Sequence, residues 1–204
     1  YWSGSSVQGT GGNVSSLTSS NGCGMYFTAI RTDTQTATFS NTLVYGCSSN
    51  GIHLDASRPA WNGPGSNRVT VVLDHGTVAD NAGDGVHIVS ATSGSYANVT
   101  NSIFANNGGY GLNLESGTNV GVFASSEGYN DFYNDDIVTN GIAKGFDATD
   151  RTADPIFFGK GAKPSPYYHL RYTASPCYAS DSVHRNRGAY QNAPGSMGTV
   201  VMIK

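Results

Sequence analysis

The stretch LDHGTVADNAGDGVHI, Leu73 to Ile88, decides the fold, because its spacing returns twice more without a gap. FSNTLVYGCSSNGIHL begins at Phe39 and VTNSIFANNGGYGLNL at Val99, and in each a glycine (Gly51, Gly85, Gly111) stands twelve residues after the first apolar position. Phe39, Leu73 and Val99 then form one column, Leu43, Thr77 and Ile103 a second, and Val44, Val78 and Phe104 a third. After the glycine come Ile52 and Leu54, Val86 and Ile88, Leu112 and Leu114, with His53, His87 and Asn113 between them. This alternation is the two-residue period of a strand, so the middle residue of each triplet faces away from its neighbours. Columns that repeat along a chain imply stacked units. A shorter fourth copy, NGCGMYF, sets Gly24 ahead of Met25 and Phe27, with Tyr26 outward.

The repeated glycine is expected to take the positive φ of a tight corner, which Gly, and less readily Asn, adopts cheaply. The intervals between these glycines are 27, 34 and 26 residues. They suit a solenoid unit of roughly 20 to 30 residues better than a propeller blade of about 40. Leucine-rich repeats share the period but need a leucine consensus that this chain does not have.

The repeats resemble those of the right-handed parallel β-helix of the pectate-lyase-like superfamily, which look like V-x-I-x-N-x-x-I-x-x-N-x-x-x-G-I-x-L. A second resemblance lies in ADPIFF (Ala153 to Phe158), YHLRYTASPCY (Tyr168 to Tyr178) and RGAYQ (Arg187 to Gln191). These are similar to the closing segment of secreted bacterial β-helix proteins, although a usual D-x-G element is replaced here by ASDSVHRN. Together the resemblances imply an all-β chain: a right-handed parallel β-helix (solenoid) of roughly five to six coils with an irregular C-terminal closing segment. Residues 1–22 then read as a weak first coil or a junction to preceding sequence, 23–152 as β-helix coils, and 153–204 as closing segment and tail. Phe157, Phe158, Leu170 and Tyr190 are expected to plug the C-terminal end.

Composition narrows the partners. Of 204 residues 12% are charged, the net charge is -3, and the 11 Lys and Arg are scattered, which argues against nucleic acid. No apolar run is long enough for a membrane span. An opening of YWSGSS with neither Met nor leader reads as a mature or excised piece of a longer extracellular, cell-surface or virion-surface polypeptide. Residues 1–22 show no capping pattern, so the first coil is expected to continue into preceding sequence or to pair head-to-tail with another copy. Three cysteines leave at least one unpaired. Cys47 shares a column with Asn81 and Asn107, whereas Cys23 sits beside its corner glycine. That offset disfavours a disulfide, which needs a Cα separation of about 4.4 to 6.8 Å. Buried thiols are the alternative.

The outward column Tyr26, His53, His87, Asn113 is flanked by one containing Asp55 and Glu115. At a strand spacing of about 4.8 Å the two imidazoles become neighbours. The longer interval falls in ASRPAWNGPGSNR (Ala56 to Arg68), a loop that carries Arg58 and Trp61. His53, Asp55, Arg58, Trp61 and His87 therefore make a candidate glycan-binding face, against the simpler reading that any solenoid is polar outside. Asp147, Asp150 and Asp154 are a candidate Ca²⁺ cluster, the one cofactor considered. Asn13 and Asn98 head N-glycosylation triplets.

On this superfamily fold, lyases use a Lys or Arg base with acidic Ca²⁺ ligands, and hydrolases use clustered Asp motifs with G-H-G and R-x-K. Neither set is present. His75 of Asp74-His75-Gly76 occupies the column of Asn41 and Asn101, and Asp135 and Asp136 look like the Asn-Asn corner of the Val99 copy. The expectation is an extracellular structural, adhesive or glycan-binding module of a larger surface, fibre or tail protein. The alternative is a polysaccharide lyase or glycoside hydrolase.

Overall fold

The computed structural model describes residues 2–3, 6–10, 22–28, 34–56, 68–90, 96–116, 123–126, 128–139, 142–143, 146, 148–159, 167–171, 174–178 and 186–189. Among them the regular elements are all strands. β1 (Trp2–Ser3) and β2 (Ser6–Thr10) precede β3 (Met25–Thr28). The chain then runs a repeated circuit: β4 (Thr34–Ser40), β5 (Leu43–Tyr45), β6 (Ile52–Ala56); β7 (Arg68–Asp74), β8 (Thr77–Ala79), β9 (Val86–Ser90); β10 (Tyr96–Thr100), β11 (Ile103–Ala105), β12 (Leu112–Ser116). A last circuit is β13 (Phe123–Ser126), β14 (Asp131–Tyr133) and β15 (Ile137–Thr139), followed by β16 (Ile142–Ala143).

Three sheets result, ordered β13-β10-β7-β4-β2, β1-β5-β8-β11-β14 and β16-β15-β12-β9-β6-β3. From circuit to circuit the pairing is parallel and keeps the sequence columns: Phe39↔Leu73↔Val99, Val44↔Val78↔Phe104, His53↔His87↔Asn113. Among the described residues the chain completes four three-strand circuits plus the lone β3. β1 and β2 pair antiparallel with the first circuit, and beyond β16 Arg151 adds one parallel bridge to Asp131 of β14.

Side-chain chemistry sets the corners. The first corner of successive circuits holds Asn41, His75, Asn101 and Tyr129 at φ of 47, 54, 54 and 59°. The second holds Gly46, Asp80, Asn106 and Asn134 at 65, 55, 56 and 56°. Asn, Asp, His and Gly dominate both columns because they enter the left-handed region at least cost. The register also corrects one alignment: Ile103↔Asp131 and Ala105↔Tyr133 make Asn134 and Asp135, rather than Asp135 and Asp136, the counterparts of Asn106 and Asn107.

The glycine column has a different cause from the one expected. Gly24, Gly51, Gly85 and Gly111 do not have positive φ. A Cβ on Gly51 would instead meet Gly85 O at 2.7 Å, and one on Gly85 would meet Gly111 O at 2.6 Å. Glycine stands there because adjacent circuits touch backbone to backbone.

Inside the three sheets, Met25, Phe39, Val44, Ile52, Leu54, Leu73, Val78, Val86, Ile88, Val99, Phe104, Leu112, Leu114, Phe132 and Ile137 form one buried cluster. Phe104 and Phe132 stack at 4.8 Å. A polar ladder runs beside it at the second corner. Cys47 N–H donates to Asn81 Oδ1 (3.0 Å), Asn81 Nδ2 to Asn107 Oδ1 (2.8 Å), and Asn107 Nδ2 to Asp135 Oδ2 (2.7 Å). These bonds satisfy corner groups that no strand ladder reaches. Cys23, Cys47 and Cys177 are all free and buried.

Strands face outward with alternate residues, so Leu43, Thr77 and Ile103 point opposite to Val44, Val78 and Phe104. They are nonetheless buried, because the closing segment lies along the outer face of the second sheet. Leu43, Ala79, Ile103 and Ala105 pack there with Tyr168, Leu170 and Cys177. Tyr168 donates its hydroxyl to Asp80 Oδ2 at 2.7 Å, and Gly188 N–H bonds Asn101 O at 2.7 Å. The expected plug over the C-terminal end is thereby corrected. Leu170 is buried, Phe157 partly buried and Phe158 exposed, while Tyr190 lies outside the described residues. The end itself is covered by Phe146, stacked on Phe132 at 5.2 Å, and by Arg151, bridged to Asp131.

At the opposite end β1 pairs antiparallel with β5, and β2 with β4. The chain's own N-terminal residues thus add a strand to two of the sheets, and β1 and β2 become their edges.

Candidate functional site

The third sheet buries Ile52, Leu54, Val86, Ile88, Leu112 and Leu114, so strand alternation sends Tyr26, His53, His87 and Asn113 to its outer face. Their rings form a continuous ladder. Tyr26 and His53 stack with centroids 4.9 Å apart and 7° between planes; His53 and His87 meet edge-on at 5.0 Å. The adjoining column is Asp55, Val89, Glu115, and Tyr26 donates its hydroxyl to Asp55 Oδ2 at 3.2 Å. None of the six strands of this sheet contains Lys or Arg.

Three further residues close the site, and the sequence pattern did not single them out: Asn50, Asp84 and Tyr110. Each directly precedes a column glycine (Gly51, Gly85, Gly111), and that position was the available signal. Asp84 N–H donates to Asn50 Oδ1 at 2.8 Å, which orients the Asn50 amide and turns its Nδ2 towards Nδ1 of both His53 (3.1 Å) and His87 (3.2 Å). Asp84 in turn collects Tyr110 N–H (2.7 Å), Asn113 Nδ2 (2.9 Å) and His87 Nδ1 (3.0 Å).

Proton placement follows from these partners. His53 Nδ1 accepts from Asn50, so His53 carries its proton on Nε2. Burial, then the nearby His87, holds its pKa below the ordinary value. His87 Nδ1 cannot both accept from Asn50 and donate to Asp84. Burial would lower its pKa, but the Asp84 hydrogen bond and the charges of Asp84 and Glu115 outweigh burial and raise it; Nδ1 is therefore the donor to Asp84. Burial likewise acts to raise the pKa of Asp84, and its three donors overcome that and lower it. Glu115 Oε2 lies 3.5 Å from His87 Nε2, close enough for charge attraction but too far for a hydrogen bond. Nε2 remains buried without a hydrogen-bond partner.

Of the expected glycan-binding residues, His53, Asp55 and His87 come together on this face, while Arg58 and Trp61 lie outside the described residues. Asp150 accepts Asn130 N–H at 2.9 Å, and Asp154 accepts Ile156 N–H at 2.8 Å; Asp147 lies outside the described residues. Among the described residues no three His, Cys, Asp or Glu side chains gather to hold a metal ion. Asn98 is half-buried on β10, and Asn13 is outside the described residues. His75 is a buried corner residue whose Nδ1 meets Asp74 Oδ1 at 2.8 Å. No helix among the described residues is long and apolar enough to cross a membrane.

Comparison with protein-family models, curated proteins and solved structures returns no match to this chain.

Proposed function

We propose that the chain is a right-handed parallel β-helix of the pectate-lyase-like kind, acting as an extracellular glycan-binding module of a larger surface, fibre or tail protein. The observation that carries this reading is the ladder Tyr26–His53–His87–Asn113 with Asp55, Asp84 and Glu115 beside it. A row of rings and hydrogen-bonding groups at one strand spacing per step matches an extended polymer of hydroxylated rings. Tyr110 stands 40% exposed at the adjoining corner, and Arg58 and Trp61 follow β6 in sequence. Titration of a polysaccharide panel by calorimetry tests the reading. Trp61→Ala and His87→Ala should each weaken binding, and unchanged binding in both would place the site elsewhere.

One observation favours a second reading, a polysaccharide lyase or hydrolase. An imidazole that donates Nδ1–H to a carboxylate is held as a general base at Nε2. The strands of this sheet hold no Lys or Arg, however, and so offer no base of the lyase kind, which is why binding is the preferred function. New reducing ends or unsaturated products from the same panel would reverse that preference.

A further inference from the structure

His87 Nε2 and Asn113 Oδ1 are the two buried side-chain polar atoms among the described residues that have no hydrogen-bond partner, and they belong to register neighbours on β9 and β12. Asn113 is 8% exposed. Its Nδ2 is committed to Asp84 Oδ2 at 2.9 Å, so the amide cannot flip, and the atom left over is an acceptor. Neutral His87, with its Nδ1 proton on Asp84, likewise presents a lone pair at Nε2. Glu115 Oε2, a third acceptor, lies 3.5 Å from that nitrogen. Three acceptors with no donor among them call for a group that is all donor, and a primary ammonium offers three N–H bonds with a positive charge.

We infer that His87, Asn113 and Glu115 form a subsite for the ammonium group of an amino sugar, so that the glycan of this face is a de-N-acetylated hexosamine polymer and not a uronate. The inference rests on the glycan-binding reading and names its ligand class. Charge agrees: Asp55, Asp84 and Glu115 bring carboxylates to a sheet whose strands have no Lys or Arg. Glu115 is 56% exposed in its side chain and is the first of the three a ligand meets; its movement uncovers the two buried acceptors. The competitor is the second proton of His87 itself, which sits on Nε2 when the imidazole is charged. The groups facing it are Asp84 from the corner, His53 from β6 and Glu115 from β12, with Asp55 acting on His53 beside it. Ammonium binding must therefore expel that proton.

The test is calorimetry on the full chain with glucosamine tetramer, N-acetylglucosamine tetramer and oligogalacturonate. It is run at mildly acid pH, where the sugar amine is fully protonated, in two buffers of different ionisation heat. The glucosamine tetramer should bind on the order of tenfold more tightly than the acetylated one, about 1.4 kcal/mol. Its heat should differ between buffers as His87 releases a proton, and Glu115→Gln, with an unchanged circular dichroism spectrum, should abolish the preference. Equal affinity for the two tetramers, or a buffer-independent heat, overturns the ammonium subsite while leaving a glycan-binding face. Failure of these ligands and of the wider polysaccharide panel to bind removes both.

Discussion

Asn107 grips Asp135 by both carboxylate oxygens, its backbone N–H on Oδ1 at 3.0 Å and its Nδ2 on Oδ2 at 2.7 Å. Asp135 ends a ladder whose other rungs are Asn107, Asn81 and Cys47, and it is the only carboxylate in it. Burial pushes its pKa up to about 7, against the two donors of Asn107. The folded state therefore holds more protons than the unfolded one from near 3.8 up to about 7, and stability falls as pH rises through that window. Asp135→Asn removes the titrating group, so it should flatten the pH dependence, but its amide offers one acceptor to the two Asn107 donors and sets an NH2 against the other. The variant should therefore melt lower than the parent at acid pH by a few degrees, at roughly 2–4 °C per kcal/mol, and the gap should narrow as pH rises through about 7. Thermal melts of both proteins across the acid-to-neutral range check this, and a gap that does not change with pH would disprove it.

The two kinds of glycine predict opposite tolerance. Gly85→Ala drives a methyl into Gly111 O at 2.6 Å with Asn107 Nδ2 at 3.1 Å, and only a shift between circuits relieves it. A loss of about 1–3 kcal/mol is expected. Gly46 has φ +65° and nothing within 4 Å of an added Cβ. Its column neighbours are Asp80, Asn106 and Asn134, so Gly46→Asn should fall within about 0.5 kcal/mol of the parent. Urea titrations of the two variants give the comparison.

Much of this arrangement could be read from residues. The columns Phe39–Leu73–Val99 and His53–His87–Asn113 were legible because ungapped repetition with a two-residue period fixes both partner and face. The closing segment was legible as a unit, but its resting place was not. Leu43, Thr77 and Ile103 are outward residues that look like core, and only packing shows that Tyr168 and Leu170 cover them. The glycine column was found for the wrong reason, since sequence cannot separate positive φ from close approach. Asp84 and Asn50 escaped because corner residues carry no periodicity, although their hydrogen bonds fix the protons of both imidazoles.

Arg187 fastens the closing segment. It is 2% exposed, donates from Nη1 to Asn130 O and from Nη2 to Thr149 O, and lies 5.7 Å from the centre of the Tyr129 ring. Only a planar fork reaches two carbonyls and a ring face at once. Arg187→Lys should therefore destabilise nearly as much as Arg187→Ala, by about 3 kcal/mol or more. Hydrogen exchange should accelerate at Gly188 and Ala189 before it does in the inner strands. Near-parent stability of the lysine variant would show that charge alone suffices.

The last prediction concerns Asp131, which continues the column Leu43–Thr77–Ile103 with a carboxylate where uncharged residues precede it. It is fully buried, and Cys177 Sγ donates to its Oδ2 at 2.8 Å while Ala153 N–H donates to Oδ1 at 3.1 Å. Burial raises its pKa to about 6, with the Cys177 hydrogen bond and the charge of Arg187 acting the other way. Below that pH the folded state keeps the carboxyl neutral. Above it the buried charge leans on the thiol, so the contribution of Cys177 should grow with pH. Cys177→Ala removes the donor and raises the Asp131 pKa further. Its destabilisation should be small well below pH 6 and larger, on the order of 1–3 kcal/mol, well above it. Asp131→Asn in the same background should erase the difference between the two conditions. Denaturant titrations at the two pH values, on the single and double variants, measure the coupling directly. A Cys177→Ala penalty independent of pH would mean that the thiol acts by packing alone, as a small apolar group against Ile103 and Leu170.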